Sequence, residues 1–233
     1  SWRNITVYNA FLNSYNYQRE LDSHMMKNTE WGAVAYLSHS KYGIDKEINI
    51  NNNSSYKTGY SALPSTNQQT YPGTSGDGET YNSAYNTEIG YTASTTENIS
   101  GVYDISGGAW EYMASYITGK LGSSGFNTAT LTNYDNKYFD TYSSSSSVAS
   151  YQYRILGDAT GEMGPFKSYL DGDNTSRYHS SWYGDYSHFV DSSYSWFLRS
   201  ANCTDGLLAG SLYFGRSTGG VSVHGGYRIV LTP

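Results

Sequence analysis

Residues Trp196–Leu231 read WFLRSANCTDGLLAGSLYFGRSTGGVSVHGGYRIVL, and this tail holds two kinds of position. Trp196, Phe197, Arg199, Ala209, Gly210, Leu212, Phe214, Tyr227, Arg228, Val230 and Leu231 read as a frame: apolar residues alternate as strands require, with glycines where the backbone turns or packs closely. Between them lie Asn202–Asp205, Leu207–Leu208, Gly215–Thr218 and Val221–Gly225, which have no period and mix size, charge and polarity. A fixed core would not select such a mixture, and an ordinary turn does not need so many residues. From Ser200 to Pro233 the chain has no Lys, Glu, Gln, Met or Trp, although all five types occur earlier. Codons ending in a pyrimidine cannot encode those types, which is the pattern expected when AAC or AAT codons are randomised at adenine; chance in a short Ser/Gly-rich tail is the alternative.

The totals narrow the classes. A chain of 233 residues is long enough for one domain with a real core. A formal net charge of −6 argues against a phosphate-binding face, so nucleic acid is not an expected partner. No apolar run approaches the roughly 20 residues of a membrane helix, so no direct membrane insertion is expected. Cys203 is the single cysteine, which excludes an internal disulfide. The chain opens at Ser1 in ordinary domain sequence without a signal peptide, which reads as a truncated or processed product. Its 26 Tyr and 25 Gly, with many Ser and Asn, suit a loop-rich extracellular protein as a whole, and in the framed tail they match the residue types that serve binding loops, where Tyr supplies contact area at low entropy cost.

Along the chain, Val7, Ala10, Phe11 and Ser14 follow the i, i+3, i+4, i+7 rule and predict a helix over Thr6–Ser14. A second helix is expected over Thr29–Ser38, with Thr29 as N-cap and Trp31, Val34, Ala35 and Leu37–Ser38 inward. His24 and His39 flank it and read as structural. Ile48 and Ile50 alternate with polar residues as a short strand would, within a polar tract of loops. Tyr151–Glu162 suggests a short helix ended by glycine, and Asp171–Asn174 a turn. In Ser180–Phe189 aromatic and polar residues alternate, suiting either a groove wall or a core strand, with Trp182 assigned to the core.

The tail motifs WFLRSAN, GLLAGSLYFGR and GGYRIVL resemble the C-terminal variable region of proteins diversified by diversity-generating retroelements, in which a W-x-x-R-S, A-G-x-F-x-F and G-F-R-V-x-L frame carries hypervariable residues on a C-type lectin fold. Leu212 and Phe214 fill the F-x-F places, and Tyr227 replaces the Phe of GFR. TEWGAVAYL at Thr29–Leu37 and GVYDISGGAWEY at Gly101–Tyr112 resemble, in that order, signatures of the formylglycine-generating-enzyme-like (sulfatase-modifying factor) branch of this fold. The resemblance implies one α+β domain over 1–233, loop-rich, with a short twisted antiparallel sheet and two helices, lacking the hairpin that usually opens the fold. It further implies a ligand- or receptor-binding protein, displayed outside the cell on a bacterial surface, an appendage or a phage particle, with a protein or glycan on another cell or particle as partner. A non-diversified binding or assembly module of the same fold is the alternative.

The branch also holds a calcium with the spacing seen here in Asp104, Gly107, Ala109 and Glu111, where carboxylates and glycine-turn carbonyls can converge on one cation. The same residues serve equally as a turn, with Asp104 capping it and Glu111 bonded to backbone. The branch's copper oxidase needs two thiolates, and this chain has only Cys203; its non-haem iron relatives need a histidine cluster, and the five histidines here are scattered. No G-x-S-x-G or H-E-x-x-H occurs. An enzyme is therefore not expected, and neither copper nor iron. The expected ligand-binding set is Ala201, Asn202, Cys203, Thr204, Asp205, Leu207, Leu208, Ser211, Tyr213, Gly215, Arg216, Ser217, Thr218, Val221, Ser222, Val223 and His224. These should form one solvent-facing patch, anchored by Tyr213 and Arg216, on a sheet whose other face is packed by Trp196, Leu212, Phe214, Tyr227 and Val230.

Overall fold

The computed structural model describes residues 2–48, 88–91, 93–143, 166–167, 178–180, 183–203 and 205–232. The expectations for Ile50, the loops of 49–78, the helix of 151–162, the turn of 171–174, Trp182 and Thr204 lie outside these residues.

Helix α1 spans Val7–Tyr15 and buries Val7, Ala10, Phe11 and Ser14, the stripe its sequence spacing requires. The hydroxyl of Thr6 accepts from the Asn9 N–H at 3.3 Å and caps the helix. Helix α2 spans Asn28–Ser38, so Lys27, not Thr29, is its N-cap. Glu30 Oε2 accepts locally from the Lys27 N–H at 2.8 Å, while the first helical amides find tertiary partners: Asn28 N–H donates to Ser115 Oγ, and Thr29 N–H to Asp140 Oδ2, each at 2.8 Å. Trp31, Ala35 and Ser38 are buried as expected, whereas Leu37 is exposed. The flanking histidines are hydrogen-bonded: His24 to the Asp22 carbonyl at 2.7 Å and Glu30 Oε1 at 2.8 Å, and His39 to Ser211 Oγ at 2.7 Å. Two single-turn helices, α3 (Glu88–Tyr91) and α4 (Thr128–Leu131), lie between the longer elements.

The strands are β1 (His24–Met25), β2 (Trp110–Ile117), β3 (Asp140–Tyr142), β4 (Phe166–Lys167), β5 (Tyr178–Ser180), β6 (Tyr186–Ser187), β7 (Trp196–Arg199), β8 (Phe214–Ser217), β9 (Gly225–Tyr227) and β10 (Ile229–Val230). The larger sheet runs β3-β2-β7-β8-β6-β5-β4, with β9 also on β2; β1 and β10 pair separately. The architecture is therefore α+β with few helices, but the sheet is mixed, not antiparallel. β7 runs antiparallel to β2, whereas β3 and β9 are parallel to it, and β6 is parallel to β8. Strand β2 sits between these partners, with Met26 O accepting from Ala114 N–H at 2.9 Å.

Side chains on a strand alternate between faces, and here both faces are covered. Met113, Ile117, Phe197 and Phe214 pack with Trp31 and Ala35 of α2, and with Leu212, Ile105 and Phe189. Tyr112, Ala114, Tyr116, Trp196 and Leu198 pack with Val7, Ala10 and Phe11 of α1, and with Phe126, Tyr138 and Phe139. Trp196 thus lies in a different cluster from Leu212 and Phe214, which corrects the one-faced packing expected for the tail frame. The frame also ends early: Tyr227 and Val230 are half-buried, and Leu231 is 41% exposed. Phe197→Ala should cost about 3–5 kcal/mol in urea unfolding, because a fully buried ring leaves a cavity. Leu231→Ala should stay within about 0.5 kcal/mol.

Candidate functional site

The tail leaves β7 through Ser200 and Ala201, both at positive φ (78° and 96°). Their conformation is held from outside the tail. The Ser200 hydroxyl lies 2.7 Å from the Gly107 carbonyl and 3.1 Å from the Asp104 carbonyl, and Gly107 N–H donates back to the Ser200 carbonyl at 3.1 Å. Gly107 has φ +84°, a conformation in which a side chain would be strained. Beside this clasp, Arg228 grips Glu111 with both parts of its fork: Nε donates to Oε2 at 2.9 Å and Nη2 to Oε1 at 2.6 Å. Nη2 also approaches the Asp104 carbonyl at 3.3 Å. Burial works against the Arg228 charge, but Glu111 and Asp104 outweigh it and hold its pKa above the ordinary guanidinium value.

This arrangement bears on the expected calcium donors. Asp104, Gly107 and Glu111 do come together, with half-buried Ala109 beside them, but they converge on a guanidinium and a hydroxyl. Both Glu111 oxygens are used by Arg228, and the Gly107 carbonyl by Ser200. A dication there would stand against the Arg228 charge. As placed, the Glu111 carboxylate and the Gly107 carbonyl serve an internal arginine and a hydroxyl.

Beyond the clasp, the tail dips inward before it surfaces. Ala201, Asn202, Cys203 and Ser211 are buried, which corrects their assignment to a solvent-facing patch. For Ser211 the cover is remote in the chain: its hydroxyl bonds His39, and its carbonyl accepts from Trp31 Nε1 at 2.8 Å. The Cys203 thiol is pushed up by burial, the opposite of an activated thiolate. Tyr213 is also buried, packed with Ala201 and Ala209 against Trp110 and Tyr186, so it forms floor and not a projecting anchor.

Seven of the remaining positions meet at a pocket of about 570 Å³. Asp205, Leu208, Tyr213, Gly215, Arg216, Ser217, Thr218 and Ser222 line it from the tail. Val221 and Val223, 60% and 59% exposed, flank Ser222, and the ring of His224 lies edge-on to Trp110 at 5.8 Å. The opposite wall was not in the expected set: Trp110, Tyr112, Tyr186, His188, Tyr194 and Leu198. Its signal in the sequence was the alternation of Ser180–Phe189. Tyr186 and His188 line the pocket, while Phe189 joins the core with α2. The Tyr186 hydroxyl and His188 Nδ1 are 2.9 Å apart. Trp110 Nε1 donates to Asp205 Oδ2 at 3.0 Å, and Asn202 N–H to the same oxygen at 2.9 Å, so buried Asn202 positions the Asp205 carboxylate. Arg216 is ion-paired with Asp191 and lies 4.9 Å from the Tyr194 ring centre.

Asp185, next in the chain to the pocket residue Tyr186, is fully buried, and its Oδ2 accepts from the Leu212 N–H at 2.9 Å. A Cβ at position 210 would fall inside this carboxyl group, which is why Gly210 is glycine. Burial pushes Asp185 up to about 8, so it carries a proton at neutral pH. A carboxyl raised in the folded state from 3.8 contributes stability that is complete below about pH 4 and is lost as pH rises toward 8. Asp185→Asn should therefore flatten the decline in chemical stability between pH 4 and pH 8. Separately, millimolar calcium or EDTA should leave Tm unchanged, whereas Arg228→Met, which strands the Glu111 carboxylate, should cost about 3 kcal/mol. The chain matches no protein-family model, no curated protein and no solved structure, so the pocket's geometry is the basis for its functional reading.

Proposed function

We propose that this chain is a ligand- or receptor-binding protein that presents replaceable tail positions on a fixed frame, a variable protein of the diversity-generating-retroelement type with a C-type lectin fold of the formylglycine-generating-enzyme-like branch. One observation carries the reading. Asp205, Leu208, Arg216, Ser217, Thr218 and Ser222, drawn from separate non-periodic tail segments, line a single pocket, while Trp196, Phe197, Leu212 and Phe214 are buried beneath the surface. Residues that support the fold are thereby separated from residues that meet a ligand, so the second group can change at small cost in stability. On this reading the replaceable set is narrower than the sequence suggests. It comprises the pocket lip and the Val221–His224 turn, and it leaves out Ala201, Asn202, Cys203 and Ser211. The partner is a macromolecule on another cell or particle, and the chain acts at a cell surface, appendage or phage particle.

The burial of Ala201, Asn202, Cys203 and Ser211 also favours a second reading, a fixed binding module of the same fold. Sister copies of the gene separate the two. Diversification predicts changes at Arg216, Thr218, Val221 and Val223, adenine-rich codons there and a near-identical template repeat nearby. Screening the domain against surface proteins and glycans of co-resident cells tests binding itself. The Arg216→Ser, Val221→Ser, Val223→Ser triple variant should lose any captured partner at least tenfold while Tm falls by only a few degrees. Undiminished capture by this variant would place binding elsewhere on the chain.

A further inference from the structure

His24 opens β1, and the chain on both sides brings an oxygen to its ring. The turn Arg19–Leu21 ends at Asp22 in the left-handed conformation (φ 48°), and the Asp22 carbonyl lies 2.7 Å from His24 Nδ1. Glu30, in the first turn of α2, places Oε1 at 2.8 Å from Nε2. The residue is 4% exposed, so little water reaches the ring. A carbonyl oxygen can only accept a hydrogen bond, and so can an ionised carboxylate. A neutral imidazole has one N–H and serves one of these two oxygens, whereas the imidazolium has two and serves both. The two partners are therefore set out for the charged ring.

The surrounding charges favour the same state. The Glu30 carboxylate raises the His24 pKa above its ordinary value against the pull of burial; the Asp22 carbonyl adds to the rise and Lys27 opposes it. Burial works to raise Glu30 in turn, but the His24 ring and the Lys27 N–H outweigh it and hold the carboxyl below its ordinary value. Lys27 Nζ lies 3.6 Å from Glu30 Oε1. On the other side the Tyr138 ring stands 5.9 Å from the imidazole. Its hydroxyl donates to Asp22 Oδ1 at 2.5 Å and accepts from Arg19 Nη2 at 3.4 Å, and Lys137 pairs with Asp22 Oδ2 at 2.8 Å. Asp22 and Glu30 thus face the ring from two elements, with Lys27, Arg19 and Lys137 around them.

Strand β1 is also where the tail ends. His24 faces Val230 of β10, and Met26 N–H donates to the Arg228 carbonyl at 3.0 Å. We propose that His24 is an acid-set clasp: its doubly donating ring ties β1 to the Asp22 turn and to α2, and loss of one proton releases one of these ties and loosens the seat of the tail's last strand. The sign follows from the shifts. A ring raised above 6.5 in the folded state contributes stability that is complete below about pH 6.5 and is lost as pH rises through the raised value. Glu30, held below 4.5, contributes stability above that pH and loses it as pH falls. The clasp is whole between about pH 4.5 and pH 6.5 and opens on the alkaline side. Asp185 also loses stability as pH rises, so the clasp is read from a comparison in which Asp185 is unchanged.

The test uses the whole chain with nitrogen-15 label. The His24 ring signals are followed by NMR against pH, assigned by their loss in His24→Gln. Both ring nitrogens should carry a proton at pH 6, and the midpoint should lie above 6.5. Glu30→Gln keeps an oxygen for the Lys27 N–H and removes the charge, and should lower that midpoint. Hydrogen exchange of the Met26 amide, corrected for the intrinsic effect of pH, then reads the coupling to the tail. From pH 6 to pH 8.5 its protection should fall about tenfold more in the wild type than in Glu30→Gln. A midpoint at or below 6.5, or a ring holding a single proton at pH 6, overturns the clasp, and the wild-type titration decides this even where a variant fails to fold. An equal loss of Met26 protection in the two proteins overturns its hold on the tail.

Discussion

The ion pair between Glu111 and Arg228 joins segments that are remote in the chain and largely out of water. Both carboxylate oxygens and both donors of the guanidinium fork are used, and a half-buried charge in that setting tolerates no loss of its partner. Strand β2 carries Glu111 and the stretch between β9 and β10 carries Arg228, so the pair pins the end of the tail to the central strand. Arg228 and Arg199 both approach the Trp31 ring, at 5.9 and 5.7 Å, and Arg199 Nη1 donates to Asn28 Oδ1 at 3.0 Å. Helix α2, strand β2, the exit of β7 and the tail's last strands are thus brought to one polar knot inside an otherwise apolar interior.

That knot explains how a tail with so many irregular positions keeps one path. Ser200 and Ala201 sit at positive φ, a costly conformation for residues with a Cβ, and they stay there because the Ser200 hydroxyl bridges two carbonyls of the Asp104–Gly107 turn. Further along, Gly210 lies against Asp185, and Leu212 N–H bonds that carboxyl. Between these fixed points, among the described residues, Asp205 and Leu208 reach the pocket. The pocket is accordingly made of two materials: a wall of rings from β2, β6 and the 191–194 turn, and a mixed edge from the tail in which Asp205, Ser217, Thr218 and Ser222 are polar. The rings give area and rigidity, and the edge gives the adaptable contacts.

Much of the scaffold was legible in the sequence because it depends on period. Val7, Ala10, Phe11 and Ser14 recur at helical spacing and are buried on α1; Trp196, Phe197, Leu212 and Phe214 read as frame and are buried. The start of α2 was misread because its first amides are satisfied by Ser115 and Asp140, far away in the chain. The part of the far wall outside Ser180–Phe189 is not legible in the sequence for a similar reason. Nothing local in Trp110 or Tyr194 says that they face Arg216 and Asp205 across a cavity.

The sequence by itself determined which residues of the tail are periodic and apolar, and hence which build strands, since alternation is a property of neighbours along the chain. It could not determine depth. Ala201, Ser211 and Tyr213 lack any burial period, yet they are covered because Trp31, His39, Trp110 and Tyr186 arrive over them from elsewhere. Only the tertiary structure decides this. A side chain's exposure is set by what packs against it, and in a mixed sheet with partners on both edges of its central strand those neighbours come from residues tens to nearly two hundred positions away.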